Sequence, residues 1–173
     1  HNLTNLQIAS STNLESPPLG FGIRKDWTEL VSIFNKALNS ITQKERIQIY
    51  KKWTSNENTD SQSQETTISL TESETAWLKS QSVVKVAVIS NQSPSESQSQ
   101  RNLYNGISFR ILQRIAKRTG FQLKPVIDEW DNHIQNLKTK EIDLIPGLIR
   151  TSKHEKLTLF KSPWSYYTNG IIA

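Results

Sequence analysis

The sequence predicts an α/β fold built on a parallel sheet, and three observations lead there. Apolar, β-branched runs alternate with amphipathic helical stretches through residues 70–173. Successive runs are separated by enough chain to hold a crossover helix. A polar stretch, residues 54–69, sets this region apart from an earlier one, residues 1–53, that also reads as a strand followed by helices.

In the earlier region Leu19-Gly-Phe-Gly-Ile23 is a short apolar run that suits a buried strand. Asp26 stands three residues before Glu29, a capping-box-like start. Behind it Trp27, Leu30, Val31, Phe34, Ala37, Leu38 and Ile41 recur at helical spacing and make one apolar stripe. Thr42 and Glu45 repeat the start signal, and Ile47, Tyr50 and Trp53 mark a second short helix. This segment is expected to pack as part of a separate, preceding domain. The alternative is that Leu19 to Ile23 completes the later sheet, in which case Phe21 should meet the Val84 strand. Residues 54–69 (TSNENTDSQSQETTIS) are nearly free of apolar side chains. Such a stretch cannot bury enough surface to offset its ordering entropy, so it reads as an exposed linker.

The later region opens on Thr71 and Glu74, another start signal, leading into Ala76-Trp77-Leu78. Val83 to Ile89 is a buried strand by its β-branched content. Asn105-Gly106 marks a turn. Ile107, Ile111, Leu112, Ile115 and Ala116 line a helix that Gly120 terminates. Phe121 to Ile127 is a second strand, Trp130, Ile134 and Leu137 mark a short helix, and Ile142 to Ile149 is a third strand. The three strands should be parallel neighbours with the two helices on the faces of the sheet. Ligands bind such sheets beyond the carboxyl ends of the strands. That places a site at the loops Ser90 to Asn105 and Gly147 to Lys156.

With 173 residues the chain is long enough for one domain or two small ones. The hydrophobic fraction is 35% and mean hydropathy is −0.56; no run approaches the ~20 apolar residues that span a bilayer. The chain has no Met and no leader-like start, and is expected to be a piece of a longer protein. It has no Cys, which excludes disulfides, thiolate metal sites and Cys nucleophiles. A net charge of +5 raises nucleic acid as a partner. The basic residues are dispersed, however. Their one ordered cluster, Arg110, Arg114, Lys117 and Arg118, reads as a solvated helix face without stacking aromatics, so no nucleic-acid partner is expected.

No Gly-rich phosphate loop, metal-ligand cluster or nucleophile elbow is present, and His1, His133 and His154 are scattered. Asp128, Glu129 and Asp131 crowd around Trp130 and read as a capped helix start rather than an acid–base pair. No catalytic residue, metal or cofactor is expected. What remains is Gly147-Leu-Ile-Arg-Thr151-Ser-Lys-His154 at a strand end, where a Gly permits close approach of a ligand and Thr151 and His154 can donate hydrogen bonds.

Four blocks carry a resemblance to a known family. "LTESETAWLKSQSVVKVAV" (Leu70 to Val88), "NGISFRILQRIAKRTGFQLKPV" (Asn105 to Val126), "WDNHIQNLKTKEIDLIPGLIRTSKH" (Trp130 to His154) and "LTLFKSPWSYYTNGIIA" (Leu157 to Ala173) stand in the later region. Together they resemble the first lobe of family 3 bacterial solute-binding proteins, most nearly the tandem versions outside hybrid sensor histidine kinases of the BvgS type. "PPLGFGIRKDWTELVSIFNKALNSITQKERIQIYKKW" (Pro17 to Trp53) resembles the returning strand and closing helices at the other end of that family.

The resemblance implies a periplasmic-binding-protein-like (type II) lobe, present as a fragment. Residues 1–53 would end a first Venus-flytrap domain and residues 70–173 would be the first lobe of a second. It further implies ligand contacts from Ser95, Gly147, Ile149, Thr151 and His154. The family's Thr-x-x-Arg, whose Arg forks onto a ligand carboxylate, reads Thr151-Ser-Lys-His154 here, and His cannot make the fork. Its Gly-x-x-x-Asp reads Gly106-Ile-Ser-Phe-Arg110, and a Ser/Gln stretch, Asn91 to Gln100, replaces its stacking aromatic. These departures argue against an α-amino-acid ligand.

The functional expectation is a periplasmic ligand-sensing ectodomain of an inner-membrane sensor in two-component signalling, which binds a small polar solute or relays a signal. Its partners would be a small-molecule ligand (an amino acid or other small anion), the neighbouring flytrap domain and a second copy in a homodimer. A free solute-binding protein of an amino-acid-type transporter and an enzyme on the same fold, a dehydratase or glycan lyase, stand as alternatives.

Overall fold

The computed structural model describes residues 8–11, 19–54, 68–89, 107–165 and 170–172. In chain order the first elements are β1 (Ile8–Ser11), β2 (Leu19–Arg24), α1 (Thr28–Ser40) and α2 (Gln43–Thr54). Next come α3 (Glu72–Ser80), β3 (Val83–Ile89), α4 (Ile107–Thr119), β4 (Gln122–Asp128) and α5 (Trp130–Lys138). The chain continues through β5 (Leu144–Ile149), the single-turn α6 (Ser152–Glu155), β6 (Thr158–Ser165) and β7 (Gly170–Ile172). Of the expected linker, all but Thr54, Ile68 and Ser69 lies outside the described residues. β1 and β7 form an antiparallel ladder of their own.

The β-branched run of β3 pairs in parallel with β4 on one side and β5 on the other, as its sequence predicts. Side chains alternate along a strand, so a strand covered on both faces must be apolar almost throughout. Val84 and Val86 join one core cluster with Leu30 and Phe34 of α1 and Leu112 and Ile115 of α4. Ala87 joins the opposite cluster with Leu137 of α5 and with Ile142, Ile145 and Leu148. The result is an α/β lobe with helices on both faces of a mixed sheet.

The first segment does not pack separately, contrary to the sequence-based expectation. β2 lies between β5 and β6, antiparallel to both, in a five-stranded sheet ordered β4-β3-β5-β2-β6. Phe34 meets Phe21 edge-on at 5.5 Å between ring centroids and stacks on Phe121 at 5.7 Å, and Phe21 and Val84 share one core. The reason lies in β2 itself. Leu19 through Ile23 are all buried, and a strand buried on both faces needs neighbours on both sides.

Two capping boxes appear where the sequence places them. Thr42 and Glu45 exchange hydrogen bonds of 2.9 and 3.3 Å, and Thr71 and Glu74 exchange bonds of 2.7 and 3.2 Å. The third start signal fails. Trp27 is the N-cap of α1 without a side-chain bond, because Asp26 is taken by Arg24 at 2.7 Å and Lys140 at 3.0 Å. The basic face of α4 also departs from the solvated reading. Arg118 donates to Glu45 of α2 at 2.7 Å and Arg114 approaches the same carboxylate at 3.4 Å. Part of that face is therefore the seat of α2.

Glu74 joins α3 to α1, accepting from Ser32 Oγ at 2.8 Å and from Lys36 Nζ at 2.7 Å. Burial pushes its carboxyl up, but the bonds from Lys36, the Thr71 N–H and Ser32 outweigh it and bring the pKa down to about 2 from 4.5. A depressed folded-state value contributes stability above the unfolded pKa, and that contribution is lost as pH falls through the folded value. Glu74→Gln should cost about 1–2 kcal/mol at pH 7. It should also remove one component of the stability loss between pH 4.5 and about 2. Urea titrations across that range check it, and a parallel loss in both proteins would contradict the assignment.

Candidate ligand-binding site

The carboxyl ends of β3, β4 and β5, at Ile89, Asp128 and Ile149, lie at one end of the parallel part of the sheet. Gly147, Ile149, Thr151 and His154 are brought together there. Ser95 and the loop Ser90 to Asn105 lie outside the described residues.

Gly147 sits inside β5 rather than at its end, and φ is +66°. The ladder between β2 and β5 skips a position at this point, with Gly20 opposite Leu148 and Gly22 opposite Ile145, so Pro146-Gly147 forms a bulge. The bulge has two consequences. A left-handed conformation there calls for Gly. The extra residue also resets the alternation, so that Ile145 and Leu148, an odd number of residues apart, reach the same core cluster. A Cβ on Gly147 would meet only Ser108 Oγ at 3.7 Å, so backbone conformation rather than crowding selects Gly.

Beyond the bulge, Ile149 is 38% exposed. Thr151 caps α6, its Oγ1 accepting from the His154 N–H at 3.2 Å. The half-buried His154 ring is fixed by Nδ1, 2.8 Å from the Ile149 carbonyl. Since a carbonyl only accepts, Nδ1 carries the proton, and Nε2 makes no hydrogen bond among the described residues. The ring lies edge-on to Trp130, the first residue of α5, with centroids 6.4 Å apart. Arg150, the nearest replacement for the missing Arg, is held by Glu155 at 2.5 Å.

The acidic cluster does not cap α5 as expected: the N-cap, Glu129, makes no side-chain cap bond, and Asp128, one residue earlier, braces the helix through asparagine side chains instead. Its oxygens accept from the Glu129 N–H at 2.8 Å, Asn132 Nδ2 at 2.6 Å and Asn136 Nδ2 at 3.2 Å. The Asn132 amide and the Glu129 N–H hold its carboxyl below the ordinary range.

One residue at this end escapes sequence reasoning. His133 is fully buried, with Nε2 3.0 Å from the Val88 carbonyl, and it pins α5 to the end of β3. Its spacing of four from Leu137 on the apolar stripe is the signal that could have placed it inward. Among the described residues no group of three or more His, Cys, Asp or Glu could hold a metal. No helix among them is long and apolar enough to cross a membrane.

The sequence is 28% identical over 169 residues to the virulence sensor protein BvgS of Bordetella bronchiseptica and 25% identical to that of Bordetella pertussis. Each match covers 97% of this chain but only 13% of the relative, so the chain spans a small part of those proteins. Among solved structures, the arginine-bound form of domain 1 from TmArgBP matches at 27% identity and a TM-score of 0.47, over 57% of this chain and 81% of that one. HbpA2 from Haemophilus parasuis matches at 14% identity and a TM-score of 0.42, over 86% of this chain and 31% of that one. A family model covers residues 84–173. The chain belongs to the bacterial extracellular solute-binding proteins, family 3.

Proposed function

We propose that residues 70–173 form the ligand-facing first lobe of a periplasmic solute-sensing domain in a membrane-bound sensor. In this reading residues 19–54 complete the sheet and one helical layer of that lobe. The ligand is a small polar solute held between this lobe and a second one. The observation that carries the reading is the convergence of Ile149, Thr151, His154 and Trp130 at the carboxyl end of β5. Family membership and the alignment with BvgS along 97% of the chain support the sensor role.

His154 presents one nitrogen where a guanidinium would present a fork. With Nδ1 turned to the Ile149 carbonyl, Nε2 accepts a hydrogen bond in the neutral ring and donates one only in the charged ring, so a ligand that makes a single hydrogen bond there suits the site better than an α-carboxylate. Amino acids, dicarboxylates and neutral polar solutes should be titrated calorimetrically into the complete two-lobed domain. Among ligands that bind, His154→Ala should weaken affinity by about 1–3 kcal/mol, the scale of a lost hydrogen bond to a charged or strongly polar group. Identical isotherms for wild type and His154→Ala would remove His154 from the site.

A further inference from the structure

The slot between β5 and β6 is selective for the strand it holds. A Cβ at Gly22 would lie 2.4 Å from Leu148 Cδ2 and 3.3 Å from Thr158 Cγ2, and one at Gly20 would lie 3.3 Å from Phe160 Cδ1. On the opposite face Leu19, Phe21 and Ile23 fill the core shared with Val84 and Phe121. Only a strand that is small at alternate positions and large at the others fits.

Ion pairs join the segment to the rest of the lobe, each with one partner in residues 19–54 and one in residues 68–173. They include Arg24 with Asp143 at 2.8 Å, Lys36 with Glu74 at 2.7 Å and Glu45 with Arg118 at 2.7 Å. Residues 19–54 also place their large apolar side chains, Leu30 and Phe34 among them, in the core shared with residues 68–173. Removed from the slot, the segment exposes that face. On its C-terminal side it is joined to residues 68–173 by residues 55–67, SNENTDSQSQETT, which contain no apolar side chain. Thirteen residues reach at most ~45 Å.

We infer that the β5–β6 slot is a strand-acceptor site and that residues 19–54 of a second copy of this chain fill it by reciprocal exchange. The contacts named above are identical whether the donor belongs to the same chain or to its partner. Exchange therefore sacrifices none of them, and the balance is set by protein concentration against the effective concentration of the tethered segment.

The chain lacks Cys, so engineered thiols report the exchange directly. Leu19 and Ile149 are partners in the β2–β5 ladder. Full-length Leu19→Cys chains and full-length Ile149→Cys chains are to be unfolded, mixed, refolded together over a range of concentrations and oxidised. The expected result is a disulfide-linked heterodimer whose share rises with concentration, whereas the double variant Leu19→Cys/Ile149→Cys closes within one chain at high dilution. A double variant that closes while the mixed chains never crosslink would overturn the inference. So would a double variant that fails to close, since it would deny the register of the slot. Equal yield when Ile149→Cys is replaced by Gln122→Cys, on the far edge of the sheet, would mark random collision and overturn it too.

Discussion

Replacing Asp143 by alanine is expected to destabilise the fold by about 3–5 kcal/mol, the scale of breaking a buried ion pair by removing one partner. The residue is 3% exposed and sits where three strands meet. Its Oδ1 accepts from Arg24 Nη1 of β2 at 2.8 Å and its Oδ2 accepts from the Lys85 N–H of β3 at 2.8 Å. Its own N–H donates to the Lys85 carbonyl at 2.9 Å, and its carbonyl accepts from the Arg24 N–H at 3.0 Å. Alanine keeps the two backbone bonds and removes the two made by the carboxylate. The Lys85 N–H loses its partner. The Arg24 guanidinium, with its side chain 12% exposed, keeps the Trp27 ring, 4.9 Å away, and Asp26, whose side chain is 45% exposed and well screened. Urea unfolding should show a lower midpoint at an unchanged slope. The double substitution Arg24→Met with Asp143→Leu should recover part of the loss, because it removes both charges together. A loss below ~1 kcal/mol for Asp143→Ala would mean that this junction does not hold the sheet closed.

What could be foreseen from the sequence divides along physical lines. Strands such as Val83–Ile89 are legible because a β-branched run has few other uses, and Thr71 with Glu74 is legible because a capping box is a local bond pattern. The partners of a strand are another matter. Nothing local in Leu-Gly-Phe-Gly-Ile says which edges it will join. Its glycines make sense only once Leu148, Thr158 and Phe160 stand above them. Pro146-Gly147 reads as a strand end, yet in the sheet it is a bulge within β5, since Pro cannot donate to a ladder and Gly147 takes the left-handed turn.

The same division holds for side chains. Arg118 looks solvated on a helical wheel until Glu45, distant in sequence, meets it. The place of Thr151 and His154 just past the end of a strand was legible in the sequence. The inward His133 depends on the Val88 carbonyl of another element and was not.

Phe34→Ala tests whether the two parts of the chain share one core. Phe34 is 2% exposed and sits between Phe21 of its own segment and Phe121 of the other, packed edge-on against the first and stacked on the second. Truncating a fully buried Phe costs about 3–5 kcal/mol, the transfer of the ring plus the cavity left behind. The size alone does not discriminate, since a separate first domain would lose as much. The distribution does. In one cooperative core the slowest-exchanging amides of β3 and α4 open with those of α1, and all should accelerate by the same factor. If residues 19–54 were an independent unit, acceleration would be confined to α1, α2 and β2, and the amides of β3 would keep their protection. Hydrogen exchange on wild type and Phe34→Ala should show the shared acceleration, because Phe21, Phe34, Val84, Ile115 and Phe121 lie in a single cluster with no boundary between them.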